Sequence, residues 1–191
     1  MAEKTRCSWV GDLPIYIDYH DKEWGRPVHD DGKLFEMLTL ESMQAGLSWI
    51  TILKKREGFR EAFDGFDPHL IVSYDEAKIQ ALMANEGIIR NRLKIEAAIN
   101  NAKVFLDAKE KYGSFSDLLW DYMDHTPLIG HPKSLEDIPA ATPLSDRISK
   151  DLKKMGFKFL GSTTMYAFMQ ATGMVNDHMT TCFLYEEALK G

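Results

Sequence analysis

The stretch KKMGFKFLGSTTMYAF, residues 153–168, decides the fold of this chain. It contains the end of one helix, a short turn bounded by Gly156 and Gly161, and the start of another helix. Glycines at the two ends of the turn allow a tight hairpin whose backbone can approach another molecule closely. The sequence therefore predicts helices over 145–155 and 162–172, joined by this hairpin.

Basic side chains gather just before the hairpin, where Asp151 is the only acid between positions 147 and 158. They are Arg147, Lys150, Lys153, Lys154 and Lys158. The N–H groups near Ser162 and Thr163, at the start of the second helix, can donate to a phosphate oxygen. The segment thus indicates a contact with a nucleic-acid backbone that carries no sequence information. A plain helical hairpin with a solvated basic face is the alternative, and the formal net charge of −6 favours it.

Beyond the hairpin, apolar residues recur at spacings of three and four almost throughout, so the sequence predicts an all-α protein without strands. Helices are expected over 33–45, 48–63 and 75–87, and a long amphipathic helix ends at Gly113. A last helix should begin at Asn176 or Asp177. The prolines between positions 125 and 143 mark the one long non-helical connection.

Length and composition suit a single domain over 1–191. A chain of 191 residues that is 45% hydrophobic can bury a substantial core. The proline-rich connection suggests a compact helical bundle of two packed lobes. The sequence has no signal peptide and no apolar run long enough to span a membrane, so we expect a cytoplasmic monomer. The motifs of kinases, dehydrogenases, zinc proteases and α/β hydrolases are missing as well.

Two cysteines and two histidines near the ends of the chain could bind one metal ion. Cys7 and His20 lie near the N-terminus, and His178 and Cys182 lie near the C-terminus. On a helix, the last two would lie one turn apart on the same face. Two thiolates and two imidazoles make a closed tetrahedral zinc set, which is structural because it leaves no open position. The spacing alone leaves open that these are buried cysteines and ordinary histidines.

Glu41 falls on the apolar face of its predicted helix, together with Leu34, Leu38 and Ala45. An unpaired buried carboxylate is costly. Either Glu41 is solvated at the edge of the helix packing, or it faces a pocket where a ligand donor or a cation compensates it.

Aromatic residues lie on both sides of Glu41 in the sequence. Tyr16, Tyr19 and Trp24 share a predicted helix face, and Trp49 follows Glu41 by two turns. Such stripes usually belong to the core, but flat aromatic faces also suit a planar base or a delocalised cation.

Taken together, these residues resemble the DNA-3-methyladenine glycosylase I family, within the helix-hairpin-helix glycosylase superfamily. The resemblance covers nearly the whole chain and rests on long blocks of sequence. The blocks are CSWV at 7–10, YHDKEWG at 19–25, LFEMLTLESMQAGLSWITILKKR at 34–56, GIIRNRLKI at 87–95, GFKFLGSTTMYAFMQATGMVNDH at 156–178, and Cys182.

The resemblance implies a monofunctional glycosylase of base excision repair. Such an enzyme flips 3-methyladenine out of alkylated double-stranded DNA, hydrolyses its N-glycosidic bond and releases the free base. The resemblance also implies one structural Zn²⁺ per chain, and its ligands would be Cys7, His20, His178 and Cys182.

The resemblance assigns further residues to the base and to the DNA backbone. Glu41 and Tyr19 would contact the base, Trp49 and Trp24 would form the aromatic walls, and Tyr16 would lie beside them. A helix-hairpin-helix element over 145–172 would bind the DNA backbone. Its contact residues would be Gly156, Lys158, Gly161, Ser162 and Thr163.

Two positions bear on the chemistry. Many relatives in the superfamily place a lysine after the last glycine of the hairpin, where it forms a Schiff base with the sugar. Here Gly161 is followed by Ser162, Thr163 and Thr164, so no lyase step is expected. Those relatives also place an aspartate beyond the second hairpin helix. Asp177 lies near that point, and we expect it to be structural, capping the last helix.

Two other functions fit the sequence less well. One is a non-catalytic, zinc-containing helical module that binds DNA through the hairpin, in which Glu41→Gln would change nothing. The other is a small-molecule binder that uses the aromatic pocket, with binding indifferent to DNA and salt.

Overall fold

The helices of the computed structural model, which describes residues 4–189, follow the sequence pattern over most of the chain. They are α1 (Pro14–Lys22), α2 (Asp31–Gln44), α3 (Trp49–Ala62), α4 (Pro68–Ile71), α5 (Glu76–Ala84), α6 (Arg92–Tyr112), α7 (Phe115–Trp120), α8 (Pro143–Met155), α9 (Ser162–Ala171) and α10 (Tyr185–Ala188). Two strands, β1 (Leu128–Ile129) and β2 (Val175–Asn176), complete the structure. The ends of the predicted domain over 1–191 lie outside the described residues.

The central helix is α2, in which every residue from Leu34 to Met43 is buried. A helix that is buried on all sides belongs in the middle of the core. It contacts α3, α6, α7 and α9. The buried apolar residues form one continuous cluster around it. Side chains on α2 therefore face other helices, and any polar group among them needs a partner or a cavity.

The predicted helix ends are confirmed where a capping residue marks them. Asp30 accepts a hydrogen bond from Lys33 N at the start of α2, at 2.7 Å. Asp75 caps α5 in the same way. Gly113 ends α6 with a φ of 82°, a conformation that glycine adopts without strain. Among the described residues, no helix combines the length and apolar composition that crossing a membrane requires.

The prediction of a protein without strands is wrong in one place. β1 and β2 pair in parallel, with Leu128 opposite Val175 and Ile129 opposite Asn176. A pair of two-residue strands is too short to show alternation, so no sequence pattern could reveal it. The pairing attaches the proline-rich connection to the segment that follows α9.

The predicted last helix, beginning at Asn176 or Asp177, is also wrong. Asn176 belongs to β2, and the chain then runs through turns until α10 begins at Tyr185. Backbone hydrogen bonds to distant segments hold these turns, from Thr180 N to Pro132 O at 2.9 Å and from Phe183 N to Thr5 O at 2.8 Å. Tertiary contacts thus replace the helix that the local spacing suggested.

The hairpin between α8 and α9 forms where the sequence predicts it. Gly156 ends α8 with a φ of 107°. The side chain of Asn101, on α6, bonds to both backbone groups of Lys158 in the turn. It donates to Lys158 O at 2.9 Å and accepts from Lys158 N at 2.8 Å. Ser149 on α8 donates to Leu160 O at 2.6 Å. The turn is therefore fixed in position by α6 as well as by α8.

Lys94 fixes the end of the central helix. Its side chain is buried, and Nζ donates to Met43 O at 2.8 Å and to Ala45 O at 2.6 Å. The last carbonyl groups of a helix lack intrahelical partners and carry partial negative charge, which suits a cation. Burial lowers the pKa of Lys94. The ammonium group thus holds the loop that joins α2 to α3.

Replacing Lys94 by methionine should lower the free energy of unfolding by about 1 to 3 kcal/mol, because the carbonyl groups of Met43 and Ala45 lose a charged donor. Urea unfolding measures the change. Lys103→Met is the matched control, since Lys103 is exposed on the same helix, and it should change stability by less than about 0.5 kcal/mol. Equal stability of the two variants would show that the Lys94 hydrogen bonds contribute nothing.

Candidate functional site

The four residues of the predicted metal set come together in the structure. Sγ of Cys7 and Cys182 and one ring nitrogen each of His20 and His178 all lie within 4.8 Å of one another, and all four residues are buried. Cys182 Sγ lies 3.5 Å from His20 Nε2 and 3.7 Å from His178 Nδ1. This cluster could hold a metal ion.

Neighbouring groups orient both histidines of the cluster. His20 Nδ1 lies 2.8 Å from Asp21 Oδ1, and Arg6 forms a bidentate ion pair with the same carboxylate. The hydrogen bond from Arg6 lowers the pKa of Asp21 to about 2. His178 Nε2 lies 3.2 Å from Trp24 O, which directs Nδ1 towards the sulfur atoms. Such second contacts fix ring orientation in metal sites.

A cavity of about 290 Å³ brings together all five residues that the sequence analysis assigned to a pocket. They are Glu41, Tyr19, Trp49, Trp24 and Tyr16. The cavity is bounded by α1, α2, the start of α3, and α9. Its size is at the lower end of small-molecule sites, which suits a single small ring system.

Glu41 is buried in this cavity without compensation. It is 3% exposed, and its Oε2 has no hydrogen-bond partner among the described residues. Burial raises the pKa of Glu41 to about 8. The carboxyl group is therefore mostly protonated at neutral pH until a ligand donor or a cation enters.

A second buried polar atom near Glu41 also lacks a hydrogen-bond partner among the described residues. Trp49 Nε1 is buried and has no acceptor among the described residues. The ring of Tyr19 lies 5.6 Å from that of Trp49, and burial raises the pKa of Tyr19 well above its ordinary value, so the phenol stays protonated. The cavity thus offers both a hydrogen-bond donor and a carboxyl group to a ligand.

The cluster of two cysteines and two histidines lies directly behind the aromatic wall. The ring of Trp24 packs edge-on against His178, with centroids 4.8 Å apart. Trp9 packs against both Trp24 and His20, at 4.9 Å and 5.4 Å. The position of the wall therefore depends on the position of the cluster.

Six further residues line the cavity and were not identified from the sequence. They are Trp9, Gln44, Leu135, Ile138, Ala167 and Gln170. Trp9 had a signal, because it follows Cys7 by two residues within a block that the family shares. Leu135 and Ile138 come from the proline-rich connection, which no periodic pattern could place.

Asp177 does not cap a helix, so that prediction is wrong. It is 1% exposed, and its Oδ2 accepts hydrogen bonds from Tyr166 Oη at 2.6 Å and from Gln170 Nε2 at 2.8 Å. Because Gln170 lines the cavity, Asp177 contacts the pocket through that side chain.

The residues predicted to bind a DNA backbone lie in the turn between α8 and α9 and at the start of α9. Gly156, Lys158 and Thr163 are exposed, and the N-terminus of α9 has no side-chain cap. Gly161 is extended, with a φ of −68°. Ser162 Oγ lies 3.0 Å from Ser145 Oγ. The same helix carries pocket residues about 8 to 12 Å farther along its axis.

Comparisons with known proteins agree with one another. The sequence profile of the methyladenine glycosylase family matches residues 9–185. A DNA-3-methyladenine glycosylase from Haemophilus influenzae is 54% identical over 179 residues, which is 93% of this chain and 96% of that protein. DNA-3-methyladenine glycosylase 1 from Escherichia coli is 49% identical over 180 residues, 94% of this chain and 96% of that protein.

Two solved structures share the fold. A crystal structure of 3-methyladenine DNA glycosylase I superimposes with a TM-score of 0.92 and 52% identity, covering 94% of this chain and 98% of that one. A variant of a 3-methyladenine DNA glycosylase I in complex with 3-methyladenine superimposes with a TM-score of 0.90 and 39% identity, covering 93% and 96%.

Replacing Glu41 by glutamine should stabilise the protein, and more so as the pH rises. Between 4.5, the ordinary pKa of this carboxyl, and about 8, the folded chain holds a proton that the unfolded chain has lost. Wild-type stability therefore falls across this window, by at most about 1.4 kcal/mol per pH unit, and the glutamine variant escapes that loss.

Urea unfolding of both proteins at several pH values within the window measures this difference. Glu110→Gln, at an exposed position of α6, is the control and should follow the wild type. A difference between Glu41→Gln and wild type that stays constant with pH would mean that the Glu41 carboxyl is solvated or paired.

Proposed function

The chain belongs to the methyladenine glycosylase family, and on that premise we propose that it removes 3-methyladenine from alkylated DNA by hydrolysing the N-glycosidic bond. Both curated relatives are named for this activity, and one solved neighbour is in complex with the free base. The reaction is a step of base excision repair.

The observation that carries the proposal is the unpaired carboxyl of Glu41 inside an aromatic cavity. Alkylation at N3 gives the adenine of a nucleotide a positive charge. A cation beside Glu41 favours the carboxylate form, and tryptophan faces attract a delocalised cation. Neutral adenine offers no such compensation, so the pocket selects the damaged base by its charge.

The chemistry needs little acid catalysis, because the alkylated base is already a good leaving group. The bond between C1′ and the base breaks, its electron pair goes to the base, and 3-methyladenine leaves as a neutral molecule. A water oxygen bonds to the oxocarbenium-like sugar and loses a proton to solvent. Glu41 stabilises the cationic base, and Trp49 and Trp24 hold its plane.

No covalent intermediate is part of this proposal. The helix that follows Gly161 begins with Ser162, Thr163 and Thr164, so no lysine stands where a Schiff base would form. The enzyme is therefore monofunctional and leaves the abasic sugar in the strand.

Double-stranded DNA is the proposed partner of the exposed hairpin. Base removal requires the nucleotide to leave the duplex and enter the cavity. The N–H groups at the start of α9 suit a phosphate oxygen, and the preceding helix, α8, exposes Lys150, Lys153 and Lys154. Because α9 leads from the hairpin to the cavity, this contact would hold the strand next to the extruded nucleotide.

We propose that the cluster of Cys7, His20, His178 and Cys182 holds one structural zinc ion. A tetrahedral site with Zn–S bonds near 2.3 Å and Zn–N bonds near 2.05 Å places sulfur and nitrogen about 3.6 Å apart. The sulfur–nitrogen distances of 3.5 Å and 3.7 Å fit that geometry. Bound zinc would supply a rigid link between the two terminal segments, with no position open for catalysis.

Wild-type protein should release free 3-methyladenine from methylated duplex DNA, and Glu41→Gln should release it at least about tenfold more slowly. Tenfold corresponds to about 1.4 kcal/mol of transition-state stabilisation. Chromatography of the released bases, at equal zinc content and with both proteins folded, measures the rates.

Glu110→Gln is the control in this assay and should match the wild type. If the wild type binds duplex DNA but releases no base, the protein is a DNA-binding module and the proposed activity is wrong. If Glu41→Gln releases the base at the wild-type rate, the assignment of Glu41 is wrong and the activity stands.

Cys182→Ser should remove the zinc and destabilise the fold, because a structural zinc site contributes its binding energy to folding. Elemental analysis should find one zinc per wild-type chain and much less in the variant. Thr181→Ala, at the exposed neighbouring position, is the control and should keep the metal. A wild type that folds fully without zinc would contradict the proposal.

A further inference from the structure

A buried carboxylate behind the cavity fixes one of the lining side chains. Tyr166 and Gln170 lie one turn apart on α9, and both donate to Oδ2 of Asp177, at 2.6 Å and 2.8 Å. The other oxygen of Asp177 is packed against Gly130, where a Cβ atom would fall 1.9 Å from it. Asp177 is thus held on both sides and cannot follow a movement of Gln170.

This arrangement sets the direction of the Gln170 amide. A glutamine side chain can present either its carbonyl oxygen or its NH₂ group to a site, because the two ends have nearly the same shape. A carboxylate only accepts hydrogen bonds, so Asp177 requires the NH₂ group on its own side. The side-chain amide oxygen of Gln170, Oε1, is left for the cavity, and no donor among the described residues bonds to it.

We propose that Gln170, oriented by Asp177, makes the pocket selective for 6-aminopurines over 6-oxopurines. The inference rests on the proposed function and names the feature of the base that the site recognises. Gln170 accepts a hydrogen bond from the 6-amino group of 3-methyladenine. Asp177 is a positioning residue, since it acts only through the glutamine.

The two classes of purine differ at the atom that meets this acceptor. Adenine carries an NH₂ donor at C6, whereas guanine carries an oxygen acceptor there. A carbonyl oxygen facing another acceptor makes no hydrogen bond, and both groups lose their solvation. A site built to pair with one hydrogen-bonding group rejects the analogue that lacks it far more strongly than an apolar pocket does.

Glu41 does not make this distinction by itself. With a pKa raised to about 8, its carboxyl can be an acceptor when ionised or a donor when protonated, and a protonated Glu41 could pair with a 6-oxo group. Gln170 has no proton to gain or lose, so its carbonyl oxygen is an acceptor at every working pH. Glu41 therefore recognises the charge of the base, and Gln170 recognises its 6-substituent.

Binding of the free bases tests the inference without a need for turnover. The probes are 3-methyladenine and 3-methylhypoxanthine, in which a 6-oxo group and one added ring N–H replace the 6-amino group. Quenching of the tryptophans around the cavity reports binding. Wild-type protein should prefer 3-methyladenine by at least about tenfold. Gln170→Met should reduce that preference about tenfold, because one hydrogen bond is worth about 1.4 kcal/mol here.

The Asp177→Asn variant tests whether the preference depends on the orientation of the Gln170 amide or only on the presence of that side chain. Its shape is unchanged, but an amide can pair with either end of Gln170, so the preference should fall to a value between those of the wild type and Gln170→Met. Tyr166→Phe removes the other donor to Asp177 without touching the cavity, and it should keep the wild-type preference. Zinc content is measured for each variant, because Asp177 precedes His178 in sequence.

The outcomes separate this inference from the function on which it rests. A wild type that binds neither base and releases none from DNA would contradict the proposed function. A wild type that binds 3-methyladenine with no preference over the oxo analogue would overturn the inference alone. The same holds if Gln170→Met weakens both bases equally, or leaves the preference intact.

Discussion

Glu41 places a carboxyl group on α2, a helix whose residues from Leu34 to Met43 are all buried. The rest of the site depends on the absence of a partner for that carboxyl group among the described residues. Glu36 on the same helix shows the usual solution. Burial tends to raise its pKa, but Arg56 and Lys33 lie close enough to lower it below its ordinary value. Glu41 has no such cation among the described residues, and its pKa is raised. The cationic partners of Glu36, together with the deeper burial of Glu41, distinguish the two residues. A carboxylate already paired with an arginine would not attract a cationic ligand. Binding such a ligand therefore requires an unpaired Glu41, although an unpaired buried carboxyl group destabilises the fold.

The position of the aromatic wall around Glu41 depends on the cluster of two cysteines and two histidines. Gly25 has a φ of +76°, and a Cβ atom there would fall 2.9 Å from His178 Nε2, so only glycine lets the chain turn this close to the imidazole. The preceding residue, Trp24, contacts the same imidazole through its carbonyl oxygen and its ring. Any movement of His178 would therefore move the wall. The cluster joins two terminal segments and also sets the width of the cavity.

The spacing of apolar residues predicts the helices. It also identifies Glu41 as a candidate site residue, because a charged residue on the apolar face of a helix breaks the 3.6-residue pattern. It fails where the fold brings distant segments together. The four-residue spacing of His178 and Cys182 suits a helix, but turns also bring two ligand atoms to one point, and the chain uses turns. Gln170 carries no local signal at all. It resembles any polar residue on a helix until its partner, Asp177, is placed beside it by the pairing of β1 with β2.

The two buried carboxyl groups near the cavity have different roles in the proposed reaction, whose leaving group is already cationic. Such a base departs without a proton donor, so the enzyme gains more from choosing the right base than from activating it. In the proposed function, Glu41 contacts the base and its carboxyl group responds to the charge of that base. Asp177 instead accepts hydrogen bonds from Tyr166 and Gln170. Its negative charge is used to fix an amide. A neutral, correctly paired adenine that entered the cavity would leave Glu41 uncompensated, and a flipped guanine would meet the wrong end of Gln170. Under these proposals, selection depends on two separate conditions: a positive charge on the base and a hydrogen-bond donor at its C6 position. 3-Methyladenine in DNA meets both.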